Sequence, residues 1–125
     1  MSILVIEDDE ELSAEIMDYL RRRGHAATPC RSLAAAQAAL TEALAAGRPP
    51  RAVLCDLGLP DGNGLNLYLA FAARIPATRW ILMSGDNDPA AVDRALVPGT
   101  SPPLLVDKPI RLRDLDRLLA DPGSD

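Results

Sequence analysis

The sequence predicts an α/β domain built on a parallel sheet, and three observations carry that reading. Short apolar runs of strand length alternate with longer segments of helical spacing, five pairs in all. Three of the runs stop at acids: Ile3-Leu4-Val5-Ile6 at Glu7-Asp8-Asp9, Ala52-Val53-Leu54-Cys55 at Asp56, and Leu104-Leu105-Val106 at Asp107-Lys108-Pro109. The polar strand ends also recur at whole βα units, with two units from Asp8 to Asp56, one from Asp56 to Ser84 and one from Ser84 to Lys108. In a parallel sheet all of these ends lie on the carboxyl edge, where open α/β folds place their sites. Acids, a hydroxyl and a lysine gathered there suit phosphoryl transfer.

Each element has a local reason. The first strand, Ile3 to Ile6, is a short apolar run that stops at the acids Glu7-Asp8-Asp9. Leu12, Ile16, Tyr19 and Leu20 then recur at helical spacing, between the acids Asp9-Glu10-Glu11 and the terminus Arg21-Arg22-Arg23-Gly24. Acids at the start, bases at the end and Gly just beyond are what helix ends favour. A weak strand, Ala26 to Cys30, leads into an alanine-rich helix from about Leu33 to Ala46, which stops at Gly47-Arg48-Pro49-Pro50. The third strand ends at Asp56, and the turn-rich stretch Leu57 to Gly64 precedes a helix with Leu65, Leu69 and Ala72 at core spacing. Arg79 to Met83 is the fourth strand. Asp88-Pro89 can cap a short fourth helix through Leu96, ending at Pro98-Gly99. Leu104 to Val106 is the fifth strand, and Leu112, Leu115, Leu118 and Leu119 make the last helix.

Composition bounds the function. One domain over residues 1–120 followed by a flexible tail, 121–125, is what 125 residues allow. A net charge of -5 argues against a nucleic-acid surface, and the one dense basic run, Arg21-Arg22-Arg23, is accounted for as a helix end. Neither a secretion signal nor a membrane span is expected, so the cytoplasm is the expected compartment. Cys30 and Cys55 each fall at the end of an apparent strand and are read as small core residues. His25, the single histidine, is expected at the surface. Asp9, Glu10 and Glu11 are read as helix-start charges and Asp61 as a turn residue. Asp86, two residues past Ser84, lies at the expected site entrance, where a carboxylate would slow or redirect water or simply be solvated.

Taken together, Ile3-Leu4-Val5-Ile6-Glu7-Asp8, Leu54-Cys55-Asp56-Leu57-Gly58-Leu59-Pro60-Asp61-Gly62-Asn63-Gly64, Met83-Ser84-Gly85 and Asp107-Lys108-Pro109 resemble the receiver domain of two-component response regulators. The resemblance runs from Ile3 to Ala120. It implies a three-layer (βα)5 flavodoxin-like fold, with a parallel five-stranded sheet in the order 2-1-3-4-5. It implies Asp56 as the acceptor of a phosphoryl group from a phosphohistidine on a sensor histidine kinase or histidine phosphotransfer protein. Asp8 and Asp56 would hold Mg²⁺, Glu7 mostly through water, and Gly58 through its backbone carbonyl. Ser84 and Lys108 would bind phosphoryl oxygens, with a cis Lys108-Pro109 bond aiming the lysine inward. A downstream protein target or output domain would read the conformational change, and dimerisation would use the face of the fourth helix, fifth strand and last helix. Apart from its own phosphorylation and dephosphorylation, no catalysis is implied.

Two positions depart from the pattern. Leu105 stands three residues before the lysine, where many receivers have Tyr or Phe, and Val97-Pro98-Gly99-Thr100-Ser101-Pro102-Pro103 replaces the commoner Gly-Ala turn. Rival readings are a Mg²⁺-dependent phosphohydrolase with Asp56 as nucleophile and a pseudo-receiver that binds partners without phosphate. The first lacks an evident cap and a second acid two residues after the nucleophile, where Gly58 stands. Intact Asp56, Ser84 and Lys108 argue against the second.

Overall fold

The computed structural model describes residues 2–84, 103–107 and 110–119. Five parallel strands form one sheet, β1 (Ser2–Ile6), β2 (Ala26–Cys30), β3 (Ala52–Asp56), β6 (Arg79–Ser84) and β7 (Leu104–Asp107), in the order β2-β1-β3-β6-β7. That is the expected 2-1-3-4-5 order, because β4 (Gly58–Leu59) and β5 (Gly62–Asn63) are a separate two-stranded hairpin in the loop after β3. Sequence reasoning read that loop only as turns. The predicted fourth helix, the Lys108-Pro109 bond and the tail fall outside the described residues.

Alternation along the central strands builds two cores. Leu4, Ile6, Val53, Cys55, Trp80 and Leu82 face one side, against α2 (Leu33–Ala45) and α3 (Gly64–Phe71). Ile3, Val5, Ala52, Leu54, Ile81 and Met83 face the other, against α1 (Glu10–Arg22) and the last helix, Leu115–Leu119, which follows a 3-10 turn at Leu112–Asp114. With helices over both faces, the central strands β1, β3 and β6 are buried along nearly their whole length, which is why they read as continuous apolar runs rather than alternating ones.

The helix ends follow the sequence signals. Asp9 caps α1, its Oδ1 accepting from the N–H groups of Glu11 and Leu12 at 3.0 and 3.2 Å. Gly24, at φ 81°, closes the other end, with its own N–H and that of His25 donating to the carbonyls of Arg21 and Leu20. The basic run is occupied locally. Arg22 pairs with Asp18 at 3.1 Å, and Arg23 meets Asp116 of the last helix at 3.0 Å while lying over the Tyr19 ring.

One expectation needs correction. Leu69 is 44% exposed, because α3 turns the stripe of Leu67, Tyr68 and Phe71 to the sheet and leaves the overlapping Leu65/Leu69 spacing at the margin. Phe71 and Tyr68 offer more area to bury, and Tyr68 meets Trp80 edge-on at 5.4 Å between ring centroids. His25 is partly exposed just before β2, in keeping with a surface residue. The cysteines behave as expected: Cys30 and Cys55 both sit opposite Ile6, one on each flanking strand, and both thiols are free and buried.

Candidate functional site

The carboxyl ends of β1 and β3 are adjacent, so their register places acids side by side: Ile6 pairs with Cys55, which puts Glu7 and Asp8 next to Asp56. Carboxylate oxygens of Glu7, Asp8 and Asp56 all lie within 4.8 Å of one another. Burial differs among them. Glu7 is fully buried, Asp56 is 4% exposed, and Asp8 is open to solvent. The Glu7 backbone extends the sheet by donating to Cys30 O at 3.0 Å, and its Oε1 accepts from Asp9 N–H at 3.1 Å. Its carboxylate is thereby folded back under the start of α1.

Asp56 is fixed by the turn that follows it. Gly58 N–H donates to Asp56 Oδ1 at 2.9 Å, and Leu57 N–H donates to Met83 O at 2.9 Å. Gly64 then brings the chain back so closely that a Cβ there would run into Asp56 O and come within 2.7 Å of Cys55 Sγ. Only glycine fits that approach. The hairpin between Gly58 and Gly64 is in turn attached to α2, where Asp61 accepts from Leu33 and Ala34 N–H groups at 2.9 and 3.0 Å. Sequence reasoning missed this contact, since a Pro-Asp-Gly turn carries no signal of the helix it packs on.

Ser84 closes β6 one residue beyond Met83, the register partner of Asp56, and is 5% exposed. Its own partner in the sheet is Asp107 at the end of β7. The fold therefore brings Glu7, Asp8, Asp56, Gly58 and Ser84 to one edge. Lys108, next after Asp107 in the sequence, lies outside the described residues, as do Asp86 and Asp88. Leu105, the position of the expected aromatic, is half-buried beside Leu82 in the core shared with α2 and α3.

The electrostatics of the edge reach into the core. Burial pushes the Cys55 thiol up to about 12, and the negative charges of Asp56 and Glu7 add to the shift. Burial also raises the Cys30 thiol. Neither thiol is a nucleophile at neutral pH. An all-oxygen donor set with one acid in water and two buried acids suits a hard divalent cation of the Mg²⁺ type.

Residues 3–120 match the family model described as the response regulator receiver domain. Among curated relatives, the photosynthetic apparatus regulatory protein RegA of Cereibacter sphaeroides is 31% identical over 84 residues, 67% of this chain and 43% of the relative. The TorCAD operon transcriptional regulatory protein TorR of Escherichia coli O157:H7 is 31% identical over 113 residues, 90% of this chain and 46% of the relative. The chain spans about half the length of the curated relatives it matches. A solved receiver domain from Clostridium thermocellum superposes with a TM-score of 0.79 at 21% identity, covering 94% of this chain and 90% of that one. A two-component response regulator from Cytophaga hutchinsonii gives 0.74 at 25% identity, covering 94% and 92%.

Proposed function

Because this chain belongs to the response regulator receiver domain family, we propose that it accepts a phosphoryl group on Asp56 from a phosphohistidine, with Mg²⁺, and signals through the resulting change of shape. One observation supports this above the others: three carboxylates from two adjacent strand ends converge to within 4.8 Å, with Asp56 braced by the Gly58 amide. Burying like charges together is costly, so the arrangement makes sense around a cation.

In this reading Glu7, Asp8, Asp56 and the Gly58 carbonyl hold the metal. When bound, Mg²⁺ offsets the charge on the phosphoryl oxygens and on the carboxylates. An Asp56 carboxylate oxygen attacks phosphorus in line, the new O–P bond forms as the P–N bond to histidine breaks, and the imidazole nitrogen keeps the electron pair and takes up a proton. The Gly58 N–H restrains carboxylate rotation, so less orientational freedom is lost on reaching the transition state. Ser84 donates its hydroxyl to one phosphoryl oxygen, and Lys108 supplies a cation to another. The acyl phosphate formed is labile, and water resets it. Beyond this self-directed chemistry the domain is not an enzyme.

The partners proposed are a sensor histidine kinase or phosphotransfer protein upstream and a protein target or output domain downstream. Self-association through the face of β7 and the last helix accompanies this, with Leu104 exposed at 36% along it. Residues 1–120 are the proposed domain, with 121–125 as a tail, and the cytoplasm is the proposed compartment. No described helix is long and apolar enough to cross a membrane.

The test is intact mass after incubation with a small-molecule phosphodonor. A single Mg²⁺-dependent phosphoryl adduct, absent from Asp56→Asn, is the expected result. An adduct that persists in Asp56→Asn rules out the assigned acceptor, and turnover of unrelated phosphomonoesters points instead to a phosphohydrolase.

A further inference from the structure

The β4–β5 hairpin connects the acceptor carboxylate to a helix that carries none of the proposed site residues. Its turn is Pro60-Asp61, and the Asp61 carboxylate bridges the first two amides of α2, Oδ1 to Leu33 at 2.9 Å and Oδ2 to Ala34 at 3.0 Å. The local cap, Ser32, serves a different amide, that of Ala35, at 3.1 Å. Two further contacts press the hairpin onto the same turn of helix. Gly62 sits at φ 146° where an added Cβ would come 2.8 Å from Leu33 Cδ1, and Leu59 is buried in the core cluster that holds Leu33. The far end of the hairpin reaches the site, because Gly58 N–H donates to Asp56 Oδ1 at 2.9 Å and Gly64 N–H donates to Leu57 O at 3.0 Å. The Leu33 and Ala34 amides hold the Asp61 carboxyl below its ordinary value, so the clamp is charged through neutral pH.

We infer that Asp61 is a positioning residue for phosphoryl acceptance: by clamping the hairpin to α2 it holds the Gly58 amide against Asp56 and so sets the orientation of the acceptor carboxylate. The inference rests on Asp56 being the acceptor. A carboxylate suits the role because its two oxygens span adjacent amides, whereas an amide side chain offers a single acceptor oxygen. Leu57 is pinned to Met83 O on one side of Gly58, and the glycines of the hairpin leave the other side soft, so the clamp limits how far Gly58 can shift from Asp56.

The experiment compares the wild type with Asp61→Ala, Asp61→Asn and Ser32→Ala. It reads phosphoryl uptake from acetyl phosphate with Mg²⁺ by intact mass, and hydrogen exchange of the Gly58 amide by NMR, with folding checked by circular dichroism. Asp61→Ala slows uptake roughly tenfold, as a displacement of well under an ångström at reacting atoms can, and speeds Gly58 exchange; Asp61→Asn falls between it and the wild type. Ser32→Ala removes a cap from the same helix end without touching the hairpin, so it lowers stability while leaving uptake and Gly58 exchange at wild-type values. Wild-type uptake or unchanged Gly58 exchange in a folded Asp61→Ala chain overturns the inference, as does equal slowing by Ser32→Ala. Should the wild type take up no phosphoryl group, the acceptor reading itself fails, an outcome distinct because no chain then shows uptake while Gly58 exchange still reports whether the clamp holds the hairpin.

Discussion

Removing one charge from the acid cluster should stabilise the metal-free protein. Glu7 and Asp56 are both buried, and their carboxylate oxygens lie within 4.8 Å. At an effective dielectric of about 20, two unit charges at that distance repel by about 3.5 kcal/mol. Asp56→Asn removes the charge and keeps an oxygen for the Gly58 N–H, so the bond at 2.9 Å has a neutral counterpart. The weaker acceptor and the other charges of the edge offset part of the gain, leaving about 1–2 kcal/mol, a rise in Tm of roughly 5 °C for a chain of this size. Thermal unfolding in EDTA, followed by circular dichroism and by the single, buried Trp80, measures it. Mg²⁺ provides the complementary arm. At ten times its dissociation constant it should stabilise the wild type by about 1.4 kcal/mol, and Asp8→Ala should abolish most of that rise. An Asp56→Asn protein that melts below the wild type in EDTA would refute the repulsion argument. A Mg²⁺ shift of equal size in wild type and Asp8→Ala would refute the metal site.

Three other outcomes follow from contacts around the edge. Gly64→Ala should cost about 2–4 kcal/mol by forcing backbone apart at Asp56, read from the urea midpoint, and a loss under about 1 kcal/mol would mean the loop yields freely. The Cys55 thiol ionises from about 9.0 when unfolded and only near about 12 when folded, so the folded state holds the extra proton between those values. Stability should therefore fall as pH rises above about 9, and Cys55→Ala should flatten that decline; identical pH profiles would contradict the buried thiol. Arg51 and Arg79 donate to the carbonyls of Leu119 and Leu118 at 3.1 and 3.2 Å, so Arg79→Ala should cost about 0.5–1.5 kcal/mol and speed amide exchange in the last helix, whereas unchanged exchange there would show the cap to be idle.

Much of the fold was legible because burial on two faces leaves a plain signature. The runs Ile3 to Ile6 and Ala52 to Cys55 are apolar at every position, and a strand of that kind must lie inside a covered sheet. Helix ends were legible at Asp9 and Gly24, whose effects are local and therefore written beside the residues they act on. The acids of the site could be named for a similar reason. A strand fixes where its next residue falls, so Glu7, Asp8 and Asp56 needed only the parallel register to meet.

What the tertiary structure alone decided is of another kind. Leu69 and Leu67 are equally apolar and sit on the same helix, and only the direction in which α3 leaves Gly64 determines which is buried. Asp61 reads as an ordinary turn residue until the hairpin is placed against α2, some 28 residues earlier in the chain. Gly64 likewise shows its purpose only once Asp56 O and Cys55 Sγ are seen in the space a side chain would need. Periodicity and capping are properties of neighbouring residues and survive in the one-dimensional sequence. Contacts between segments distant in sequence depend on how finished elements stack, and no local pattern records them.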